Sequence, residues 1–197
     1  SSFDACDRLA TRVNSLSLVR YRNNDYSVPV AFGHQEVWIR GYVHEVIIGC
    51  ASEEIARHPR SYDREDYIFN PIHYLPLLEK KIGALDQAAP LAGWDLPNVF
   101  ATLRRLLESR MGKPGKREYV QVLRLLETFE LNDLHGAIKD ALRLSAISCD
   151  AIKHLVLCRI ERRPPRLNLD IYPYLPRAQV ATTSAASYMN LLADGAS

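Results

Sequence analysis

The chain has 197 residues, of which 47% are hydrophobic and 24% are charged. This composition is that of a globular protein, so it excludes collagen-like, fibrous and wholly disordered chains. Its 25 lysine and arginine residues nearly balance 23 aspartate and glutamate residues, which leaves a net charge of +2. Such a balance does not by itself indicate a nucleic-acid-binding protein. No run of about 18 apolar residues occurs, so no transmembrane helix is predicted.

The four cysteines predict a chain with reduced thiols. They are far apart and lack CxxC spacing, so no disulfide framework is expected in a chain of this size. Because the first residues also lack the pattern of a signal peptide, a cytoplasmic protein is predicted. His154 and Cys158 lie one helical turn apart, but no second pair accompanies them. No metal site is therefore predicted.

The first third of the chain predicts β structure. Short strands are predicted from alternating or clustered apolar residues over 15–21, 26–30, 36–40, 43–48 and 55–60. In the third of these, Val37 and Ile39 share one face. Trp38 and Arg40 lie on the opposite face. Pro29 cannot donate a ladder hydrogen bond, so the second strand is predicted to lie at an edge or to carry a bulge.

The remaining sequence predicts helices. After a charged stretch at 63–66, Asn70-Pro71 and Leu75-Pro76 permit only short helical turns. From Asp95 onward the apolar spacing is helical, and four amphipathic helices are predicted, three of them capped by Asp95, Asn132 and Asp150. A stop is predicted at Met111 to Gly115, and Pro164-Pro165 ends the last helix.

These elements predict an α+β fold in four parts. Five short strands close together in sequence are typical of a small SH3-like β-barrel. The predicted parts are an SH3-like barrel over 1–62, a linker with short helices over 63–94, a helical domain over 95–163, and an extended proline-rich tail with a short terminal helix over 164–197.

No catalytic residue is predicted. The sequence lacks a Walker phosphate loop and the GxGxxG, HExxH and GxSxG motifs. His58 lies near Asp63 in sequence, but no nucleophile accompanies them, and the acidic residues at 63–66 are expected to be a solvated linker. A nuclease that uses His58 and Asp63 is the enzymatic alternative.

Two basic clusters suit contacts with DNA phosphates. The first lies on the predicted strands and strand exits and consists of Arg20, Arg22, Arg40, Arg57 and Arg60. The competing interpretation pairs these arginines with acidic residues of the same region, namely Glu36, Glu45, Glu53 and Glu54. The second cluster lies at a helix end and a Gly/Pro loop and consists of Arg110, Lys113, Lys116 and Arg117. There the competing interpretation is that the cations stabilise a helix C-terminus.

Several blocks resemble the bacterial insertion-sequence transposases of IstA type. They are VRYRNNDYSVP at 19–29, IARHPRSY at 55–62, HYLPLLE at 73–79 and YPYLP at 172–176. The resemblance implies a parent protein of the DDE and retroviral-integrase superfamily, which joins DNA ends with two divalent metal ions, expected to be Mg²⁺. No DDE triad is recognisable here, so this chain is expected to be the non-catalytic C-terminal portion, without a cofactor of its own.

The resemblance also implies the partners. These are DNA (transposon ends or target), an IstB-type AAA+ ATPase, and a second copy in a homodimer of the full-length transposase. The leading hypothesis is therefore a module that contacts DNA and mediates assembly during transposition. The alternative is a pure protein-interaction module that docks the helper ATPase without DNA contact, through the tail residues Tyr172, Tyr174, Leu175 and Tyr188.

Overall fold

The strands form two sheets. A computed structural model of the chain describes residues 6–161. Within that range the strands are β1 (Asp7–Arg12), β2 (Leu18–Tyr21), β3 (Asn24–Ser27), β4 (Glu36–Gly41), β5 (Glu45–Cys50), β6 (Glu53–Pro59) and β7 (Tyr67–Ile68). An antiparallel four-stranded sheet has the order β1-β4-β5-β6. A second sheet has the order β2-β3-β7, and β7 runs parallel to β3.

The α+β class is confirmed, but the SH3-like barrel is not. The ladders found between residues 6 and 161 leave two separate sheets, and no closed barrel is found there. The sequence does not predict β1, because its residues lack an apolar alternation. In the structure they are nearly all exposed. Pairing with β4 along its whole length holds β1 in the sheet. β3 ends before Pro29, which precedes a 3-10 turn at Val30–Phe32.

Alternation along β4 and β5 builds the core of the sheets. Val37 and Ile39 are buried, as predicted, and so are Val46 and Ile48 of β5. With residues of the second sheet such as Tyr26, they form one apolar cluster. The opposite face of the four-stranded sheet is left for side chains that face outward.

The helices follow the predicted order. They are α1 (Leu75–Lys80), α2 (Asn98–Met111), α3 (Lys113–Arg124), α4 (Leu131–Leu144) and α5 (Cys149–Glu161). Further 3-10 turns lie at Pro71–Tyr74, Ile82–Gln87, Ala89–Leu91 and Leu125–Glu127. No helix in the described part of the chain combines the length and the apolar character needed to cross a membrane.

The helix ends differ in detail from the prediction. α2 begins only after Pro97, beyond Asp95. Asn132 lies inside α4, which follows Glu130. At the start of α5 the side chain of Ser148, rather than that of Asp150, accepts the backbone N–H of Ala151 at 3.2 Å. These differences arise because several polar residues near a helix start are able to cap it.

One break between α2 and α3 is shorter than predicted. Gly112 alone separates the two helices, with φ 60°, a conformation that glycine adopts without strain. Gly115, which was predicted to belong to the stop, lies inside α3 instead. There it is buried and allows α3 to pack against the backbone of α2 at Leu107.

A second apolar cluster fills the helical part. Its buried members include Phe100, Leu107, Leu123 and Ile138. The segment predicted as a linker contributes to the same cluster, through the buried side chains of Leu75, Leu78, Ile82 and Leu85. The domain boundaries themselves stay a prediction, and the predicted tail over 164–197 lies outside the described residues.

A buried polar seam connects the sheets to the helical part. The hydroxyl of Ser27 in β3 accepts the backbone N–H of Asn70 at 2.8 Å and lies 2.9 Å from Nδ1 of His73. The backbone carbonyl of Ser27 lies 2.6 Å from Nε2 of His58 in β6. The hydroxyl of Tyr74 donates to the carbonyl of Leu16 at 3.1 Å.

Candidate nucleic-acid interface

The outer face of the four-stranded sheet carries a cross-strand row of arginines. Arg8 of β1 lies opposite Arg40 of β4, which lies opposite Ile47 of β5, which lies opposite Arg57 of β6. Ile47 is only 8% exposed although it belongs to the outer face. This burial fits aliphatic arginine stems that lie over it while their charged groups reach water.

The positive charge of Arg57 is balanced by two neighbouring carboxylates. Its guanidinium donates to Glu54 at 3.0 Å and to Glu45 at 2.7 Å. These two hydrogen bonds, first that to Glu54, raise the pKa of Arg57 above its ordinary value. The competing interpretation of the first basic cluster, that its arginines pair with local acids, therefore applies to this residue. Glu36 pairs instead with Arg12, at 3.7 Å.

Arg40 is held by an aromatic ring. Its guanidinium carbon lies 4.7 Å from the centroid of the Trp38 ring, a cation–π distance. The indole N–H donates to the carbonyl of Ala51 at 2.8 Å, which fixes the ring. The ring also lies directly over Gly49 of β5, where any Cβ would overlap it. Among residues 6–161 no ion pair of Arg40 is found.

Arg20 and Arg22 do not share a strand face. β2 ends at Tyr21, and Arg22 lies in the following turn with φ 55°. Arg20 pairs with Asp25 at 3.3 Å, and Arg22 pairs with Asp7 at 2.8 Å. Hydrogen bonding to Tyr21, followed by that to Asp7, raises the pKa of the exposed Arg22 guanidinium.

Arg60 stabilises the turn between β4 and β5 through a hydrogen bond to its backbone. It donates to the carbonyl of Tyr42 at 2.7 Å. Its guanidinium lies 4.7 Å from the ring centroid of Tyr62 and 5.5 Å from that of Tyr21. The Tyr62 hydroxyl donates to the carbonyl of Val43 at 2.7 Å. This arrangement gives Arg60 a structural role in addition to the predicted phosphate contact.

The second basic cluster divides into paired and unpaired residues. Lys116 pairs with Asp86, which also receives Arg104, and these two hydrogen bonds lower the pKa of the Asp86 carboxyl. Arg110, Lys113 and Arg117 are exposed at the junction of α2 and α3, and no ion pair of theirs occurs within the described range. These three side chains form what we call the junction patch.

His58 and Asp63, the residues of the enzymatic alternative, differ in their exposure to solvent. His58 is buried, and burial lowers its pKa, whereas Asp63 is exposed. No group of three or more histidine, cysteine, aspartate or glutamate residues in the described chain is arranged to hold a metal ion. On α5, the Cys158 sulfur lies 3.5 Å from Nε2 of His154, and no further ligand joins this pair there.

The structure adds two features that the sequence did not indicate. Arg8 joins the outer face only because β1 pairs with β4.

A mostly apolar groove of about 550 Å³ lies between β2, β7 and α1 and is lined by Leu16, Leu18, Tyr67, Phe69, Tyr74 and Leu77 among others. Leu16 and Tyr67 are 66% and 57% exposed. The tail residues predicted to bind a partner, Tyr172, Tyr174, Leu175 and Tyr188, lie outside the described residues.

Comparisons with known proteins agree with the resemblance in its general form. Residues 1–70 match the family described as Mu transposase, C-terminal domain. The chain is 31% identical over 171 residues to transposases for insertion sequences IS1326/IS1353 of Pseudomonas aeruginosa and Shigella flexneri. It is 32% identical over 146 residues to a transposase of Aminobacter aminovorans.

The similarity covers most of this chain but a smaller part of its relatives. It extends over 84% of the chain and 33% of the IS1326/IS1353 transposases, and over 72% of the chain and 28% of the Aminobacter protein. The chain thus spans about a third of the length of the curated relatives it matches. No solved structure matches the chain. The sequence comparisons support one relationship: this chain is related to the insertion-sequence transposases.

Proposed function

We propose that this chain acts in DNA transposition as the C-terminal, non-catalytic part of an insertion-sequence transposase. It contacts DNA and holds transposase subunits and their helper in one assembly. The observation that carries this proposal is the pair of overlapping similarities, to the Mu transposase C-terminal domain at residues 1–70 and to insertion-sequence transposases over 84% of the chain.

The parent protein of the proposal is of IstA type. It belongs to the DDE superfamily, uses Mg²⁺, forms a homodimer in the cytoplasm and works with an IstB-type AAA+ ATPase. Residues 1–70 match a family described as a C-terminal transposase domain. In this proposal the bond-forming step therefore belongs to another part of the parent protein, and this part supplies binding and alignment.

The junction patch supports a DNA-contacting role. Arg110, Lys113 and Arg117 are exposed, and no ion pair of theirs is found among the described residues. Arginine and lysine at such a position attract the phosphate backbone and release its counterions. The ion-paired Arg20, Arg22 and Lys116 must first give up a carboxylate partner, so they contribute less to the proposed contact.

Charge reversal at the junction patch tests this role. We expect the triple substitution Arg110→Glu, Lys113→Glu, Arg117→Glu to weaken binding of the chain to a 20-bp duplex by about tenfold or more at low salt, and to reduce the salt dependence. The matched control reverses three exposed lysines on α1, α4 and α5, namely Lys80, Lys139 and Lys153. Equal losses in both variants would assign the effect to net charge alone and would remove the junction patch from the proposal.

The apolar groove favours a second candidate, protein docking without DNA contact. Its lining is mostly apolar, and the exposed Leu16 and Tyr67 are side chains that partners commonly cover. Capture of the purified helper ATPase by the chain tests this candidate. Leu16→Asp should reduce capture, whereas Val43→Asp, at an equally exposed apolar residue outside the groove, should not. Removal of residues 164–197 tests the predicted tail contacts in the same assay.

A further inference from the structure

We propose that a cavity beside α2 and α3 binds an unpaired base of DNA, while the neighbouring phosphates of the same strand lie on the junction patch. The cavity has a volume of about 530 Å³ and lies between these two helices and the 3-10 turns at Ile82–Gln87 and Ala89–Leu91. The inference rests on the proposed function and deepens it by naming the DNA structure that the chain recognises.

Three aromatic side chains line the cavity, namely Trp94, Phe100 and Tyr119. Phe100 and Tyr119 are buried, and Trp94 is half-buried. The volume lies in the range of about 300–1,000 Å³ that is usual for ligand sites. Every nucleobase has a flat π-face that packs against aromatic side chains, so walls of this kind bind a base whatever its sequence.

The Tyr119 hydroxyl is a hydrogen-bond donor that lacks a protein partner. Tyr119 is only 7% exposed, and no hydrogen bond of its hydroxyl occurs within the described part of the chain. The oxygen is not enclosed by protein, so it opens onto the cavity that the side chain lines. Burial raises the pKa of Tyr119 to about 12, which keeps the hydroxyl protonated. A carbonyl oxygen or ring nitrogen of a base supplies the acceptor that this donor lacks.

The charges beside the cavity balance one another. Arg104 donates to Glu108 at 2.6 Å and also to Asp86. Its guanidinium carbon lies 5.8 Å from the ring centroid of Tyr119. Lys116 donates to the same carboxylate of Asp86. Two cations and two carboxylates therefore meet here, and this balance suits a neutral base better than a phosphate or a carboxylate.

The cavity is continuous with the junction patch along α3. Lys113, Lys116 and Tyr119 are spaced three residues apart, so they lie on one face of the helix. Six helical residues span about 9 Å, which is the axial rise of about two to three nucleotides of one strand. A strand that contacts the exposed Lys113 with a phosphate can therefore place a base at Tyr119. A protein ligand with an apolar side chain would leave the cations of the patch unused.

The experiment compares two labelled duplexes of the same sequence, one fully paired and one with a central bulge of three unpaired nucleotides. Binding to the 197-residue chain is measured by fluorescence anisotropy. We expect the bulged duplex to bind about threefold or more tightly than the paired one. Tyr119→Phe keeps the ring but removes the donor, so it should weaken binding to the bulged duplex by about three- to tenfold. Its affinity for the paired duplex should stay within about twofold of that of the unmodified chain.

Thr128→Val is the matched control. It removes an exposed hydroxyl in the turn that follows α3, outside the cavity, and should leave both affinities unchanged. Urea unfolding separates binding from a structural role. Because Tyr119→Phe removes no hydrogen bond of the folded chain, its unfolding midpoint should stay the same or rise. A lower midpoint would show that the hydroxyl serves the fold, which contradicts the proposal.

Trp94 emission reports directly on the cavity. The chain has two tryptophans, so Trp38→Phe leaves Trp94 as the sole reporter. The bulged duplex should quench this emission, because a base in the cavity contacts the indole, whereas the paired duplex should change it much less. In the same background, Tyr119→Phe should move the midpoint of the titration to about three- to tenfold higher concentration.

The outcomes separate this site from the proposed function. If the chain binds both duplexes equally and Tyr119→Phe behaves like Thr128→Val, the site is wrong while DNA contact by the chain stands. If the chain binds neither duplex, the proposed DNA contact fails and this site fails with it. Quenching of Trp94 by deoxyadenosine monophosphate at concentrations as low as those of the bulged duplex would assign the cavity to a free nucleotide. Displacement of the bulged duplex by N-acetylphenylalanine amide would assign it to an apolar side chain of a protein. Either of these last two results overturns the assignment to DNA.

Discussion

Arg40 and Arg57 flank Ile47 in one cross-strand row, yet their surroundings give them different chemistry. Arg57 is surrounded by two carboxylates, whereas Arg40 stacks on an indole ring. Sequence spacing predicted that Trp38 and Arg40 face away from the core, because alternation along a strand is a backbone property. The sequence offered Glu45 and Glu54 among several acids that could pair with these arginines, but it did not assign them to Arg57, because the contact with Glu45 depends on the register between β5 and β6.

At the seam, His73 should make the stability of the chain depend on pH. Burial, and then the charge of the neighbouring His58, lower the pKa of His73 to about 4. The folded state therefore favours the neutral imidazole, while the unfolded chain takes up a proton near pH 6.5. Stability is fully present above pH 6.5 and is lost as the pH falls towards 4, by up to about 3 kcal/mol for this one group.

Urea unfolding of the chain between pH 7.5 and 5 measures this effect. The carboxyls of Glu79 and Asp86 also have lowered pKa values, through hydrogen bonds to Arg124 and Lys116 respectively. Their contribution is lost only below about pH 4.5, so it does not disturb this range. His73→Gln should reduce the pH dependence but not abolish it, because burial also lowers the pKa of His58 in the same seam. The control His135→Gln, at a histidine of α4 outside the seam, should leave the profile unchanged. A flat profile for the unmodified chain would contradict the assignment.

At the scale of elements, the spacing of apolar residues predicted the helices better than the glycine residues predicted where they end. The four helices from α2 to α5 follow the apolar stripes of the sequence, because a buried face needs residues three and four apart. The stop expected at Met111 to Gly115 was too long, since glycine breaks a helix in one place and permits close packing in another. β1 was not predicted because its own residues carry no apolar pattern. Its pairing with β4 stabilises it instead.

Gly115→Ala should weaken the contact between α2 and α3. A Cβ at this position would overlap the carbonyl group of Leu107, which is backbone of α2 and cannot move aside cheaply. Overpacking of this kind costs about 1–3 kcal/mol. Thermal unfolding measures the loss. The control is Gly83→Ala, where a Cβ meets no atom within 4 Å, and it should be neutral or slightly stabilising.

Gly136→Ala should behave differently although Gly136 is also crowded. Here the new Cβ would meet the guanidinium of Arg159, the far end of a flexible side chain. Arg159 can move at the expense of its half-buried pair with Asp140. Because alanine also favours the interior of α4 by about 1 kcal/mol, the unfolding temperature should change by no more than a few degrees. A loss as large as that of Gly115→Ala would show that Arg159 is fixed in place.

At the scale of the whole molecule, the two apolar clusters belong to one compact unit. The spacing of apolar residues locates each cluster along the chain, but it does not reveal how the two clusters are joined. The seam at Ser27 depends on three elements that are distant in sequence, β3, β6 and the 3-10 turn at Pro71–Tyr74. Polar residues such as Ser27 and His73 carry no sequence signal for such a buried contact, which explains why the segment over 63–94 was predicted to be a linker.

The seam should make both clusters unfold together. Trp38 lies on the four-stranded sheet, and Trp94 packs against the helical cluster, so Trp94→Phe and Trp38→Phe give single reporters for the two parts. Because the seam is buried and hydrogen-bonded, the urea transitions of the two variants should coincide, as in a two-state protein. In either background, Ser27→Ala leaves the Asn70 N–H and His73 without their partner and should cost about 1–3 kcal/mol. Midpoints that differ by more than the effect of the reporter substitutions would mean that the sheets and helices fold independently, and the contacts of Ser27 would then contribute nothing to cooperativity.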